Sequence, residues 1–305
     1  METIQIDPGN RDARYRRSLC EHLERGNILT ITPTPFMPNE DECAFLRQQN
    51  QALSGKHKNI AYKPHLRKVT GVDSTSAQIA DSTSAILGAY SEGALNYLAE
   101  LFPDYASVWK VDYASFRPVE EQGRDLPLSH RNDLMHLDAF PTRPTYGGRI
   151  LRAFTNIHPD RDRVWGISHS FPELVSLYAQ DAGLQGVIGP IAAARRWAIS
   201  TARVVGLRSP NRSAYDEFML KFHHYLKSNQ EFQKDGQLYA PSFSPGTTWI
   251  AFTDQVAHRV VSGQYAIEQT CIVPLSAMVL PEMAPVNVLA KAAGSPLIPA
   301  KYQHV

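Results

Sequence analysis

Cysteine is scarce in this 305-residue chain: Cys20, Cys43 and Cys271 are odd in number, far apart and in no CxxC spacing. That excludes a disulfide scaffold and a thiol-based zinc or redox motif, and leaves buried thiols as the expectation. Charge of one sign is missing as well. The 31 Lys and Arg oppose 30 Asp and Glu, a net charge of +1, whereas a nucleic-acid binder needs a basic excess or stripe. No apolar run approaches the roughly 20 residues that span a bilayer; even Gly183–Ala194 is broken by Gln185, Gly186, Gly189 and Pro190. The amino terminus carries Glu2 and Asp7 where a signal peptide would place basic residues before an apolar stretch, so a cytoplasmic location is expected. Internal repeats and low-complexity segments are absent. A hydrophobic content of 43% then describes a globular protein near the upper size of a single core, about 250–300 residues.

Texture divides the chain into three regions: 1–107, 108–280 and 281–305. In the first, residues 11–26 form a charged helix with a thin apolar stripe ended by Gly26, and Ile28–Thr32 reads as a strand. Asn39 is positioned to cap a helix that begins at Glu40 and runs to about Ser54-Gly55. Residues 56–76 read as polar and irregular, and a further helix is predicted from about Asp81 to Leu101. From Val108 onward short aromatic and β-branched strands follow, in Val108–Arg117, Arg149–Ile157, Arg163–Ile167, Thr247–Phe252 and Ala266–Leu275, separated by Pro, Gly and Asp turns. This spacing predicts a mainly β core, sandwich or jelly roll. A helical insertion occupies about 171–235, clearest from Ser213 to Lys234, and the tail after Pro281 is expected to wrap the surface.

The sharpest chemical signal is His136-Leu137-Asp138. Side chains two apart on an extended strand point the same way and can grip one ion. His258, where an apolar strand turns through Asp254, is the candidate third ligand. Two imidazoles and a carboxylate on one side of a metal leave open positions, the facial arrangement of non-haem Fe(II) oxygenases. The competing reading is a His136–Asp138 structural hydrogen bond and a satisfied turn histidine at 258. His223-His224 reads as packing on an amphipathic helix, and Arg195-Arg196 beside Trp197 as a solvated helix face or a contact for anionic lipid.

The HxD motif with its late histidine resembles the Fe(II)/2-oxoglutarate-dependent dioxygenases. That resemblance implies an α+β protein with a double-stranded β-helix (jelly-roll, cupin-like) core, N-terminal helices and a helical insertion, with Fe(II), 2-oxoglutarate and O₂ as cofactor and co-substrates. Family members bind the distal carboxylate of 2-oxoglutarate with a basic residue downstream of the second histidine, yet here Glu268 and Gln269 stand in that stretch. A JmjC-like branch takes the basic residue from the strand after HxD. Arg152 would fill that role, sharing a strand face with Phe154 and Asn156, because a guanidinium can hold a carboxylate through two parallel hydrogen bonds. The alternatives are Arg117 and Arg149.

Most of the chain bears a closer resemblance. The run from His136 to Pro159, the helix Tyr215–Gln233 and the segment around His258 resemble the bacterial Kdo hydroxylase family, dioxygenases that act on position 3 of the outer 3-deoxy-D-manno-octulosonic acid of lipopolysaccharide precursors. The resemblance implies a Kdo-bearing lipid A precursor as partner and peripheral contact with the cytoplasmic face of the inner membrane. Substrate anions and hydroxyls would meet Arg131, Asn132, Arg143 and Tyr146, which flank the HxD dyad. Two rivals stay open: a 2-oxoglutarate oxygenase acting on another small acid or lipid, and a non-catalytic cupin-like carbohydrate-binding protein.

Overall fold

The computed structural model describes residues 1–49, 59–72, 76–204 and 210–300. β1 (Thr3–Gln5) pairs in parallel with β2 (Ile28–Ile31). Between them runs α1 (Ala13–Glu24), capped by the Asp12 carboxylate, which accepts from the Arg14 and Tyr15 amides. α2 (Glu40–Gln48) starts at Asn39 through a reciprocal capping box with Glu42; its expected extension to residues 54–55 lies outside the described residues. The stretch 56–76 is not irregular where it is described. It holds the hairpin β3 (Ile60–Lys63) and β4 (Lys68–Thr70), strands short enough for their polar flanks to mask the alternation. α3 (Ala77–Leu101) begins earlier than expected because the Ser76 hydroxyl accepts from the Ile79 amide. It is followed by α4 (Pro103–Ala106).

The predicted core strands appear as β5 (Lys110–Arg117), β6 (Arg149–Asn156) and β7 (Arg163–Ile167). The helical insertion comprises α5 (Phe171–Tyr178), α6 (Gly189–Val204), α7 (Ala214–Ser228) and α8 (Gln230–Asp235). The chain then returns through β8 (Ser242–Phe243), β9 (Thr248–Phe252), β10 (His258–Ser262) and β11 (Ala266–Val273). The tail corrects a second expectation. It contains α9 (Pro285–Ala293) and buries Val286, Leu289 and Leu297 in the core formed by α5 and α7, because its apolar residues recur at helical spacing rather than spreading over a surface.

The result is a mixed α+β fold. A large sheet runs β1-β2-β9-β6-β11-β5-β3-β4, antiparallel except for β1–β2, and a small sheet runs β10-β7-β8. One face of the large sheet packs under α1 and α3 through Leu23, Leu98, Leu101, Leu151, Ile250 and Phe252. The opposite face meets the small sheet, where Phe154 and Trp249 pack against Trp165 and Phe243. Period-two alternation therefore sends Leu151 and Ala153 toward the helices and Arg152 and Phe154 into the space between the sheets. The same rule turns Ser115 and Arg117 of β5, and Glu268 and Thr270 of β11, into that space.

Arg149 fixes the turn that delivers β10. It is fully buried, its Nε donates to Asp254 Oδ2 at 2.9 Å, its Nη2 reaches Gln255 Oε1, and the Ile150 amide donates to Asp254 Oδ1 at 3.2 Å. Gln255 in turn donates to the Glu24 carbonyl at 2.8 Å. This placement removes Arg149 as a co-substrate anchor, since its Nε and Nη2 serve the 253–257 turn and its Nη1 donates to Met278 Sδ at 3.9 Å. Arg149→Leu should lower stability by about 3–5 kcal/mol by leaving Asp254 a buried unpaired charge. Urea unfolding checks this, and a loss below about 1 kcal/mol would show that the pair is dispensable.

Candidate metal centre and active site

His136 and Asp138 lie on an extended segment tied to the turn and start of β10. The His136 amide donates to the His258 carbonyl at 3.0 Å, the His258 amide returns to the His136 carbonyl at 2.9 Å, and the Asp138 amide donates to the Thr253 carbonyl at 2.8 Å. One ligand atom from each of His136, Asp138 and His258 falls within 4.8 Å of the other two, and His136 Nε2 stands 3.7 Å from Asp138 Oδ1. Each imidazole is oriented from behind: Nδ1–H of His136 donates to the Leu134 carbonyl at 2.7 Å, and that of His258 to the Val256 carbonyl at 2.8 Å. Both Nε2 lone pairs are thereby left as donors to an ion. Trp165 stacks on the His258 ring at 4.6 Å, and His223 meets His136 edge-on at 5.2 Å.

The donor set fits a divalent first-row metal. Two neutral imidazoles and one carboxylate are the right ligands, and Asp138 Oδ2 is buried with no hydrogen-bond partner, its only polar neighbour being Arg152 Nη1 at 3.3 Å. Burial disfavours charge on His136 and on His258, holding both below the ordinary imidazole range. Burial alone would raise Asp138, but Arg152 and the two histidines outweigh it and hold the carboxyl well below its usual range. The side chains are thus already in the protonation states that a metal needs.

Two chambers meet at the triad. The outer one, about 580 Å³, is lined by Ser115, Asn132, Phe140, Arg143, Thr270 and the α7 residues His223, His224 and Lys227. The inner one is a narrow cleft of about 20 Å³ between the sheets, walled by Arg117, Arg152, Arg163, Phe154, Trp165 and Val260, and Arg117 and Arg152 line the outer chamber as well. Glu268 sits between two of its guanidiniums, accepting from Arg117 Nη2 at 2.7 Å and lying 3.5 Å from Arg152 Nη1; Arg117 also lies 3.4 Å from Glu121. Arg163 differs. It is 1% exposed, its Nη1 donates to the Gly263 carbonyl at 2.7 Å, and among the described residues no carboxylate is within ion-pair distance. Burial pushes its pKa down to about 10. The Nε atoms of both Arg152 and Arg163 are buried without a partner, so the inner chamber offers unused donors to an anion.

The remaining sequence candidates divide. Asn132 and Arg143 line the outer chamber; Asn132 donates to Glu121 at 3.1 Å, and Arg143 lies over Tyr113 and Phe140 while paired to Asp112. Arg131 is turned to Asp133 and Tyr146 donates its hydroxyl to the Asn211 carbonyl; neither lines the chamber. Asn156 is also not in the site. Its amide donates to the Arg161 and Phe243 carbonyls at 2.9 Å and its oxygen accepts from the His158 amide, so it shapes the β6–β7 turn. His223 packs as expected, donating to the Leu137 carbonyl at 2.6 Å, yet with His224 it also lines the chamber. Sequence reasoning missed Arg163, although Arg163, Trp165 and Ile167 alternate along one strand face, and it missed Lys227, one helical turn from His223.

A pH dependence follows from the buried imidazoles. His136, held by burial well below the ordinary imidazole range, and His223, pushed down by burial to about 4, stay neutral in the native protein while the unfolded chain protonates them near pH 6.5. Acid therefore draws protons onto the unfolded state, and stability is lost as pH falls below that value. The metal-free protein should lose about 1.4 kcal/mol per pH unit per histidine between pH 6 and 5, as read by urea unfolding; a flat profile would contradict the burial of these rings.

Comparison with known proteins agrees with this geometry. A search of curated sequences finds no significant match. Among solved structures, the Kdo hydroxylase KdoO, described as a non-heme Fe(II) α-ketoglutarate-dependent dioxygenase, is similar in its complex with α-ketoglutarate and Fe(III), at 32% identity and TM-score 0.83, covering 98% of each chain. Its cobalt(II) complex matches at 33% identity and TM-score 0.84, and its complex with succinate and Fe(III) at 33% and 0.83, both again over 98% of each chain. The family profile described as 3-deoxy-D-manno-oct-2-ulosonic acid (Kdo) hydroxylase matches residues 8–296, and the chain belongs to that family.

Proposed function

We propose that the chain hydroxylates carbon 3 of the outer Kdo on a lipid A precursor, with Fe(II) held by His136, Asp138 and His258 and with 2-oxoglutarate and O₂ as co-substrates. The observation that carries this reading is the junction of two chambers at one ligand triad, the inner rich in unused guanidinium donors and the outer in hydroxyl, amide and imidazole groups. The strands of 108–280 are read as a double-stranded β-helix within one catalytic domain over 1–305. The absence of a basic residue near Glu268 loses its weight as an argument for a non-catalytic binding protein, because Arg163 supplies a cation from β7 instead.

Iron(II) with 2-oxoglutarate and O₂ supplies an oxidant for an unactivated C–H bond, 2-oxoglutarate leaving as succinate and CO₂. The protein contributes placement. His136, Asp138 and His258 would hold the ion, and the outer chamber and the inner cleft both reach this triad. Arg163 would hold the far carboxylate of 2-oxoglutarate, while Arg152 keeps Asp138 ionised, and Phe154 and Trp165 exclude water around them. The outer chamber receives the sugar. The name 3-deoxy fixes carbon 3 of Kdo as a methylene, a carbon bearing hydrogens and no oxygen, which accounts for the need for such an oxidant. Peripheral contact with the inner membrane is supported by Ile191 and Trp197 of α6, 87% and 70% exposed. Basic steering is weaker than the sequence suggests, because Arg195 and Arg196 are both paired with Glu217.

The test is mass spectrometry of the Kdo-bearing lipid after incubation with the protein, Fe(II), ascorbate and 2-oxoglutarate. One oxygen atom gained on the Kdo and stoichiometric succinate are expected, and turnover with Kdo-free acceptors alone would refute the substrate. Arg163→Ala should weaken 2-oxoglutarate binding by about 2–5 kcal/mol, the cost of removing one partner of a buried charge pair; unchanged affinity would move the anchor to Arg117 or Arg152.

A further inference from the structure

Where the outer chamber meets α7, one buried charge has no opposite. Lys227 is 2% exposed and lines the chamber that also contains His136 and Asp138. Its Nζ donates to the Ser129 carbonyl at 3.1 Å, and among the described residues no carboxylate lies within 4 Å of it. The neighbouring cations are differently placed: Arg117 and Arg152 share Glu268, and Arg143 holds Asp112. An ammonium has three donors, and burying it without a counter-charge is costly. Burial pushes Lys227 down to about 8, so most of it is charged at pH 7. The four-residue spacing on α7 sets it beside His223, whose ring is fixed by the Leu137 carbonyl and packed on His136. This is a seated charge facing a cavity rather than a solvated tip.

We infer that Lys227 receives the carboxylate of the sugar acid in the outer chamber and thereby sets which carbon of the sugar faces the metal ligands. The inference rests on the reading of the chain as a Kdo hydroxylase. In a 3-deoxy-2-ulosonic acid the carboxylate carbon is joined to carbon 2 and carbon 2 to carbon 3, so an anchor on the carboxylate positions the reacting methylene two bonds away. The same charge selects against neutral sugars, which would enter the chamber and leave the ammonium unpaired. Lys227 is a substrate-binding residue in this account, and the inner guanidiniums remain for 2-oxoglutarate.

Two acceptors distinguish the possibilities: the Kdo-bearing lipid and the same lipid with the Kdo carboxylate converted to its carboxamide. Wild-type protein should favour the acid in kcat/KM by about 30-fold or more, as expected when one partner of a buried charged pair is neutralised. Lys227→Met should treat the two acceptors alike, and Lys227→Arg should recover part of the preference. Melting temperature and 2-oxoglutarate affinity with Co(II) report whether each variant is folded. Equal turnover of acid and carboxamide by the wild type overturns the inference and leaves the proposed function standing, as does a preference retained in folded Lys227→Met. Oxygen gained by neither acceptor with the wild type refutes the proposed function itself.

Discussion

The pair of backbone hydrogen bonds between His136 and His258, at 3.0 and 2.9 Å, is the contact on which the rest of the site depends. It joins the extended HxD segment to β10 of the small sheet and brings together three ligand side chains from two distant parts of the chain. Because each histidine also spends its Nδ1–H on a carbonyl two residues earlier, the same few residues fix ring position and tautomer together. The turn that begins β10 is pinned from behind by the Arg149–Asp254 pair, so a fully buried guanidinium supports the triad without touching it.

Charge is the second organising constraint. A water-poor interior tolerates ionised groups only in company, and the inner chamber arranges them in sequence: Asp138 beside Arg152, Arg152 beside Glu268, Glu268 beside Arg117, Arg117 beside Glu121. Glu268, which stands where the wider dioxygenase class carries a base, is the counter-ion of this array. Two cations fall outside it, Arg163 deep in the inner chamber and Lys227 at the outer one. Arg163 lines the inner cleft and Lys227 the outer chamber, and under the proposed function they would take two anionic ligands, a dicarboxylate and a sugar acid.

Much of this was legible in the sequence, and the unread parts have physical reasons. Period-two spacing exposed the HxD dyad and the core strands, and capping chemistry placed the start of α2. The hairpin at 60–70 was hidden because its strands are short and flanked by charge, and the tail was misread because Pro281 and Pro285 signal a break without showing that a helix follows. Arg152 is singled out by the resemblance to the JmjC-like branch, and the strand turns it toward Asp138, but alternation alone cannot say whether a cation meets a ligand or a neighbouring acid. Asn156 shows the same limit from the other side: it shares the face of Arg152, yet the strand has left the chamber by that point and its amide closes a turn. Arg163 obeyed the rule and was overlooked because its partner residue Trp165 reads as core.

If the triad and the guanidiniums beside it form one site, metal and 2-oxoglutarate balance each other's charge there. Calorimetric titration of 2-oxoglutarate into the protein with and without Co(II), in the absence of oxygen, tests this most directly. Binding of one equivalent that is at least about tenfold tighter with the metal, and that loses this dependence in Asp138→Ala, is the expected result. Equal affinity for 2-oxoglutarate with and without the metal would contradict it.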